Sequence, residues 1–317
     1  MAQAPPDADS DSPANPDRPT EPEIVNASGA LAVDTASAGV SIPAAKKKRP
    51  RVFYWLAVFW LGLVVFCALF ANLLPVKDPN AQDILIRLQP PGPGGILGSD
   101  DLGRDILARL VFGARVSLIV SLTAVILGSV AGGFLGLTVG FFRGWYERIV
   151  MSIVDVVLAF PALVLLLALV AYVGQSLPTI AFVVGFLAIP LYTRVARATT
   201  LAVSQREYVL AARAMGATNR RILFKELLPN VALPIAAFGL VALGAVIVVE
   251  GSLAFLGLSV KFPTATWGSM IAAGKIHIRR APHLALIPSL AMFLTVLSIN
   301  YVGDKLRQQF DVRESSL

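Results

Sequence analysis

Cysteine and histidine are both scarce in this chain. Its 317 residues contain one cysteine, Cys67, and two histidines, His277 and His283. A single cysteine excludes a disulfide within the chain and a metal site built from several thiolates. Neither histidine stands at a spacing from an acid that would indicate a metal centre. We therefore predict no metal site.

Signatures of catalysis are missing as well. The sequence has no G-x-x-x-x-G-K-[ST] loop, so the chain cannot hold nucleotide phosphates in a P-loop. It also has no G-x-S-x-G, H-E-x-x-H or paired C-x-x-C motif. These absences predict a protein that has no catalytic residues and binds no cofactor of its own.

Charged residues are few, and long apolar runs take their place. Charged side chains make up 15% of the sequence and hydrophobic ones 56%, with a mean hydropathy of +0.71. This composition predicts membrane-spanning helices rather than one water-soluble core. The net charge of +7 does not indicate nucleic acid, because the basic residues flank the apolar runs. We predict an all-α polytopic membrane protein surrounded by lipid.

The first part of the chain differs in composition from the rest. Residues 1–45 carry seven acids and one arginine and show no apolar periodicity, which is typical of disorder. Basic residues follow, so residues 1–51 are predicted to form a disordered acidic tail that ends in a basic cluster and stays in the cytoplasm. Residues 52–74 form an apolar run long enough to cross the membrane, and they are predicted to be the first transmembrane helix. Residues 75–114, rich in proline and glycine, predict an extracytoplasmic segment.

The remaining apolar runs predict a transport domain of five transmembrane helices at residues 115–303, followed by a cytoplasmic C-terminus at residues 304–317. With six spans, both ends of the chain face the cytoplasm. Eighteen lysines and arginines then fall on the cytoplasmic side and nine outside, as the positive-inside rule requires. The five predicted spans are Val116–Phe142, Ile149–Tyr172, Leu177–Tyr192, Val231–Leu258 and Leu284–Val302.

Four glycines recur at steps of four in the second predicted span: Gly128, Gly132, Gly136 and Gly140. Small residues at this spacing form a groove along one helix face, where another backbone can approach closely. The groove is either a tight seam specific to transport or ordinary helix packing. Both interpretations predict that it is buried in protein.

Two acids, Asp155 and Glu250, lie within predicted spans and are the candidates for the translocation path. An ionised carboxylate facing lipid is costly, so each should face the protein or a water-lined cavity. Asp155 is either part of a structural or gating pair or a proton site. Glu250 is either a cavity residue near the substrate path or an anchor that hydrogen-bonds to the external loop.

A polar, basic stretch, residues 206–229, separates the fourth and fifth spans. Gly216 can end a first helix by adopting a positive φ, and Thr218 can cap a second one, which Pro229 would stop. This pattern predicts a helical hairpin with an exposed apolar face that needs a partner. A membrane-surface amphipathic helix is the alternative. The apolar face of the first helix is predicted to carry Tyr208, Ala211, Ala212 and Met215.

The hairpin resembles the cytoplasmic loop of ABC importer permeases. That loop has the pattern Glu-Ala-Ala, three residues, Gly, nine residues, Ile, one residue, Leu-Pro. Leu210 and Glu226 replace its Glu and Ile, and Glu207 supplies an acid one helical turn earlier. The matching positions are Ala211, Ala212, Gly216, Leu228 and Pro229.

Two further stretches resemble the dipeptide/oligopeptide/nickel branch of these permeases. LGSDDLGRD, residues 97–105, is similar to a signature in which Leu-Gly-Thr-Asp precedes Gly-Arg-Asp. EGSLAFLGLSV from Glu250, with Pro263 and TWGSM after it, is similar to a second signature of the branch. The signature residues are Gly98, Asp100, Gly103, Arg104, Asp105, Trp267 and Gly268.

The resemblance implies a type I ABC importer permease, the second of the two permeases of such a system, in the cytoplasmic membrane. It implies a homologous permease as heterodimer partner, two ATPase subunits that hold ATP and Mg, and an extracytoplasmic substrate-binding protein. Short peptides are the expected cargo, and a nickel complex is the alternative cargo. An ion-coupled secondary transporter is the alternative class of protein. The implied ATPase-coupling residues are Glu207, Tyr208, Ala211, Ala212, Met215, Gly216, Ala217, Leu228 and Pro229.

Overall fold

A computed structural model describes the backbone of residues 51–314 and the side chains of residues 52–307. Most of the predicted acidic tail, residues 1–51, and the end of the predicted C-terminal segment lie outside this part of the chain. The described helices are α1 (Arg51–Leu69), α2 (Ile106–Leu127), α3 (Gly133–Phe142), α4 (Gly144–Ala159), α5 (Ala162–Val173), α6 (Leu177–Val203), α7 (Glu207–Ala214), α8 (Asn219–Arg221), α9 (Leu228–Phe255), α10 (Trp267–Ile276) and α11 (His283–Glu314).

Within residues 51–314, five continuous helical segments are long and apolar enough to cross a membrane, and a bent pair, α4 and α5, makes a sixth if it counts as one span. The predicted all-α polytopic fold is confirmed. The five segments are Val52–Leu69, Ile106–Phe142, Leu177–Val203, Asn219–Phe255 and His283–Arg307.

The predicted third span, Ile149–Tyr172, consists of two helices that meet at an angle of 87°. Phe160 has an extended backbone, with φ −80° and ψ 140°, and Pro161 follows it. A proline disfavours the helical conformation in the residue before it, because its ring clashes with that residue's backbone. The bend therefore has a local cause in the sequence.

Helix α2 begins at Ile106, inside the stretch predicted to be extracytoplasmic, rather than near Val116. Asp105 caps the helix, with its side chain accepting a hydrogen bond from the Ala108 N–H at 2.9 Å. The sequence-based boundary was too late because Arg109 makes the first turns polar, although the structure buries this side chain within the protein.

The second helix of the predicted hairpin does not end at Pro229, so that expectation was wrong. A π-helical turn, Ile222–Leu227, connects α8 to α9, and the helical path continues from Asn219 to Phe255. Leu228 donates its N–H to the Leu223 carbonyl, five residues earlier. A π turn is wider than an α turn and makes room for the proline ring, which otherwise meets the carbonyl four residues back.

The four spaced glycines pack against α6, as the predicted groove required. A Cβ atom at Gly128 would lie 2.9 Å from the Tyr192 ring, and one at Gly136 would lie 2.6 Å from the Ala196 Cβ and overlap the Thr193 carbonyl oxygen. Only glycine allows the backbones of α3 and α6 to approach so closely. The groove is therefore the seam between these helices.

We expect Gly136→Val to destabilise the protein by about 1–3 kcal/mol, because the added atoms overlap the α6 backbone. Gly62→Ala is the control, since nothing lies within 4 Å of a Cβ at Gly62. Thermal unfolding of the purified protein in detergent measures both variants. Equal melting temperatures for the two variants would contradict the close packing of α3 against α6 at Gly136.

Candidate functional site

The stretch from Arg206 to Pro229, named here the elbow, turns sharply at Gly216. Gly216 has a φ of +80°, and its N–H donates to the Arg213 carbonyl at 3.0 Å. The Ala217 N–H donates to the Ala212 carbonyl, also at 3.0 Å. Thr218 then caps α8, because its side chain accepts from the Arg221 N–H. The predicted positive φ and the predicted cap are both confirmed.

The inner face of the elbow packs against the protein itself. Val209 is fully buried and lies in the same hydrophobic cluster as Ile222 and Leu227 of the π turn. Ala212 is also buried. The prediction placed Ala212 on the exposed face, but it lies at the buried edge, one helical turn from Tyr208. These contacts make the elbow one compact unit.

The outer face of the elbow is apolar and exposed. Met215 is 79% exposed, and Tyr208, Leu210 and Phe224 are also exposed. Large exposed apolar side chains on a folded segment indicate an interaction surface. Leu210 and Phe224 were missed as site residues, although both are large apolar residues in a polar stretch. Of the other predicted coupling residues, Glu207, Ala211, Gly216 and Pro229 are exposed, and Ala217 and Leu228 are partly buried.

The same segment also carries exposed positive charge. Two acids, Glu207 and Glu226, lie in the same segment. Exposed apolar and basic side chains on one segment complement a partner surface that carries apolar and acidic groups. The exposed basic side chains of the elbow are Arg206, Arg213, Arg220, Arg221 and Lys225.

A second cluster of predicted residues forms a compact turn before α2. The Asp100 carboxylate accepts from the backbone N–H of Leu102 and of Arg104, both at 2.9 Å, and from the Arg104 Nε at 2.7 Å. Arg104 and Arg109 are both buried, and Arg109 Nε lies 3.5 Å from the same carboxylate. Because Asp100 neutralises buried positive charge, its role in the signature is structural.

The glycines of this turn are required by its geometry. Gly103 has a φ of +73°, and a Cβ atom there would overlap the Asp83 carbonyl. Gly98 has a φ of +89°, and a Cβ there would lie 2.7 Å from the Gln89 carbonyl oxygen. Both positions therefore exclude residues with a side chain.

The two signatures, far apart in sequence, meet in the structure. Trp267 is buried and donates its ring N–H to the Leu110 carbonyl of α2 at 3.0 Å. A Cβ atom at Gly268 would lie 2.6 Å from the Gly251 Cα, so α10 packs directly on α9. Arg104 lies over the ring of Phe262, 5.1 Å from its centre. We name residues 97–105 and 259–270 together the signature cap.

Glu250 connects this cap to the helices beneath it. Its side chain is 1% exposed and accepts from the Ser259 hydroxyl at 3.0 Å and from the Ser117 hydroxyl at 3.3 Å. Ser259 lies in the loop after α9, and Ser117 lies in α2. These contacts are those expected of the structural anchor rather than of a residue open to a substrate path.

We expect Glu250→Gln to keep peptide uptake within about twofold of the parent, because the amide oxygen can still accept a hydroxyl hydrogen bond. Glu250→Leu leaves the two serine hydroxyls without this acceptor and should lower stability by about 1–3 kcal/mol. Uptake into vesicles and thermal unfolding distinguish the variants. Strong loss of uptake by Glu250→Gln with unchanged stability would favour the interpretation that Glu250 lies near the substrate path.

Asp155 forms an ion pair, as the interpretation of a structural or gating pair predicts. Its carboxylate lies 2.6 Å from the Arg194 guanidinium of α6, and both side chains are more than half exposed. Glu147, two turns earlier on α4, accepts from Arg197 Nε at 2.7 Å. Two ion pairs therefore join α4 to α6, while the elbow and the signature cap form two other sites.

Comparison with known protein families identifies the chain. Residues 124–315 match the family of binding-protein-dependent transport system inner membrane components. The chain belongs to this family. The match covers more than half of the chain, including α6, the elbow and α9.

Curated relatives place the permease in the peptide branch of ABC importers. It is 37% identical over 268 residues to the glutathione transport system permease protein GsiD of Pectobacterium atrosepticum, which covers 84% of this chain and 89% of the relative. It is 38% identical over 260 residues to the di/tripeptide transport system permease protein DppC of Pseudomonas aeruginosa, covering 80% and 86%.

A solved structure shows the same fold. An inward-facing conformation of the MetNI methionine ABC transporter aligns with a TM-score of 0.51 at 19% identity, covering 63% of this chain and 95% of the other. Together with the family match, this supports the type I permease fold that the resemblance implied. This chain is therefore a multi-pass membrane permease of an ABC importer.

Proposed function

We propose that this permease is the translocation subunit of an ATP-driven importer and that its elbow is the docking site for a separate ATPase subunit. The observation that carries the proposal is the exposure of the apolar side chains Met215 and Tyr208 together with the exposed basic side chains of the elbow. A surface of this kind, built on a rigid hairpin, fits a groove on a folded partner. ATP and Mg would then be held by the partner, and this chain would carry no catalytic step.

The connections of the elbow explain how movement would reach the membrane. Helix α7 follows α6 after a short turn, in which Arg206 donates its N–H to the Val203 carbonyl at 3.0 Å. The other arm continues through the π turn into α9. When the ATPase subunits close on ATP, the elbow would move as one lever and shift α6 and α9 together. Such a rigid-body movement changes the side to which a central cavity opens.

The assembly we propose contains a second, homologous permease as heterodimer partner, two ATPase subunits and an extracytoplasmic binding protein. Both termini of this chain would lie in the cytoplasm, because the basic elbow and the basic cluster before α1 then fall on the same side. The family description, a binding-protein-dependent transport component, supports the receptor partner.

Short peptides are the cargo we propose. The relatives named above carry the names of glutathione and di/tripeptide transport systems, and glutathione is itself a small peptide. A relative from Alkalihalophilus pseudofirmus, 35% identical over 252 residues, is named a dipeptide transport system permease. Selection among peptides would rest mainly with the binding protein.

Reconstitution of the assembly tests this function. The permease is purified with its partner chains, placed in vesicles with ATP inside, and supplied with the binding protein and a labelled dipeptide outside. ATP-dependent uptake of the dipeptide supports the proposal. Uptake of a nickel chelate in place of the peptide would assign the other cargo of the branch. Uptake driven by an ion gradient without any ATPase chain would overturn the proposal.

A further inference from the structure

An open groove lies between α4 and α6. It has a volume of about 530 Å³, within the range of roughly 300–1,000 Å³ that small-molecule sites occupy. One face of α4 lines it, because its lining residues recur at steps of four. The α4 residues include Glu147, Arg148, Met151, Ser152 and Asp155, and α6 contributes Arg197.

The charges of this groove argue against contact with lipid. Asp155, in the groove lining, and its ion-pair partner Arg194, beside the groove, are 59% and 52% exposed, although Arg194 belongs to a helix that is long and apolar enough to span the membrane. Charged side chains within spans face water or protein, because transfer into hydrocarbon is costly. The opposite side of α4 carries exposed apolar residues, Ile149, Ile153 and Val156, which suit lipid or an apolar partner. Helix α4 therefore has one side for water and one side for an apolar environment.

The bend after α4 keeps the groove open. Helix α5 contains 12 residues and is roughly 18 Å long, too short to cross a hydrocarbon core of about 30 Å alone. Because α4 leaves α5 at 87°, it does not continue α5 as a straight rod beside α6. The space left between α4 and α6 is bridged by the two ion pairs.

We infer that this groove is a water-filled part of the substrate path and that Asp155 and Arg194 contact the charged ends of a short peptide as it passes. The inference rests on the proposed function for the nature of the cargo. A peptide with free ends is a zwitterion; Asp155 in the groove lining offers a carboxylate for its ammonium group, and Arg194, paired with Asp155 beside the groove, offers a guanidinium for its carboxylate. Exposed ion pairs are weak, so the Asp155–Arg194 pair can exchange its partners for those of the substrate.

Water access is tested first, by thiol labelling in the full complex. Cys67→Ala removes the one native thiol, and Ser152→Cys then places a thiol in the groove. Ile153→Cys, the next residue on the same helix, is the matched control on the apolar side. With a charged, membrane-impermeant thiol reagent, we expect Ser152→Cys to react at least about tenfold faster than Ile153→Cys. Equal rates would overturn the inference.

The role of the charges is tested by three variants: Asp155→Asn, Arg194→Gln and the two together. If the pair only holds α4 against α6, the double variant should recover, because two amides can hydrogen-bond and no unpaired charge remains. If the charges contact substrate, uptake by the double variant should stay about tenfold or more below the parent, while Ser152→Cys labelling in this background persists. Recovery of full uptake in the double variant would overturn the inference.

The parent complex is the reference in these assays, and it separates this inference from the proposed function. Absence of peptide uptake by the parent would refute the proposed function. Uptake by the parent together with full uptake by the doubly neutral variant would refute only the role assigned to the groove.

Discussion

Replacing Gly216 with proline is expected to lower ATP-driven uptake by at least about tenfold while the permease still inserts into the membrane. Gly216 has a φ of +80°, which the proline ring forbids, and its N–H donates to the Arg213 carbonyl, a bond that proline cannot make. The turn would open, and α7 would lose its fixed position against the π turn. Movement of the ATPase would then no longer reach α9.

Gly216→Asn is the matched control, since asparagine adopts the left-handed conformation more readily than other residues with a side chain. Nothing lies within 4 Å of a Cβ at this position, so the change tests only the backbone angle. We expect the asparagine variant to keep most of its uptake. Both variants are compared by ATP hydrolysis and uptake in vesicles, after equal membrane levels are confirmed. Normal uptake by Gly216→Pro would remove the coupling role from the elbow.

Met215→Asp is expected to release the ATPase from the complex without unfolding the permease. Met215 is 79% exposed, so a carboxylate there is hydrated in the free chain and costs the fold little. In the docked state the same charge would be buried against an apolar surface, and association should weaken by about a hundredfold or more. The measurement is the amount of ATPase retained when the permease is purified in detergent, beside its melting temperature.

Ala212→Asp separates docking from folding in the same elbow. Ala212 is buried within the chain, so an aspartate there should lower the melting temperature of the permease itself, in contrast to the change at Met215. If Met215→Asp retains the ATPase as well as the parent does, the exposed face is not the docking surface. If Ala212→Asp leaves the melting temperature unchanged, the packing described for the inner face is wrong.

Much of the elbow was predictable from its residues because its geometry is set locally. A glycine between two short helical patterns predicts a positive φ, and a threonine two residues later predicts a cap, whatever surrounds them. The same holds for the four glycines from Gly128 to Gly140, which lie between α2 and α3 and in α3, since small residues at steps of four leave a groove. Ala212 was placed on the wrong side because sequence periodicity defines a face but not which edge of it another helix covers.

Other features depended on contacts between distant residues. Pro229 predicted an end to a helix, yet a π turn just before it lets the helix continue, and this joins the elbow to α9. The sequence leaves both anchor and path open for Glu250, and only the structure shows that Ser117 and Ser259 donate to its carboxylate, which favours the anchor. The partner of Asp155 is likewise known only from the structure: it is Arg194, 39 residues further along the chain.

The sequence by itself determined that this protein lies in a membrane, roughly where most of its spans run, and that a basic turn interrupts them. It did so because hydrophobicity, glycine spacing and proline act over a few residues. Only the tertiary structure decided which side of the elbow is exposed, what Glu250 binds, and that a charged groove separates α4 from α6. Those properties depend on which helices lie against one another, and no local sequence pattern specifies which distant segments pack together.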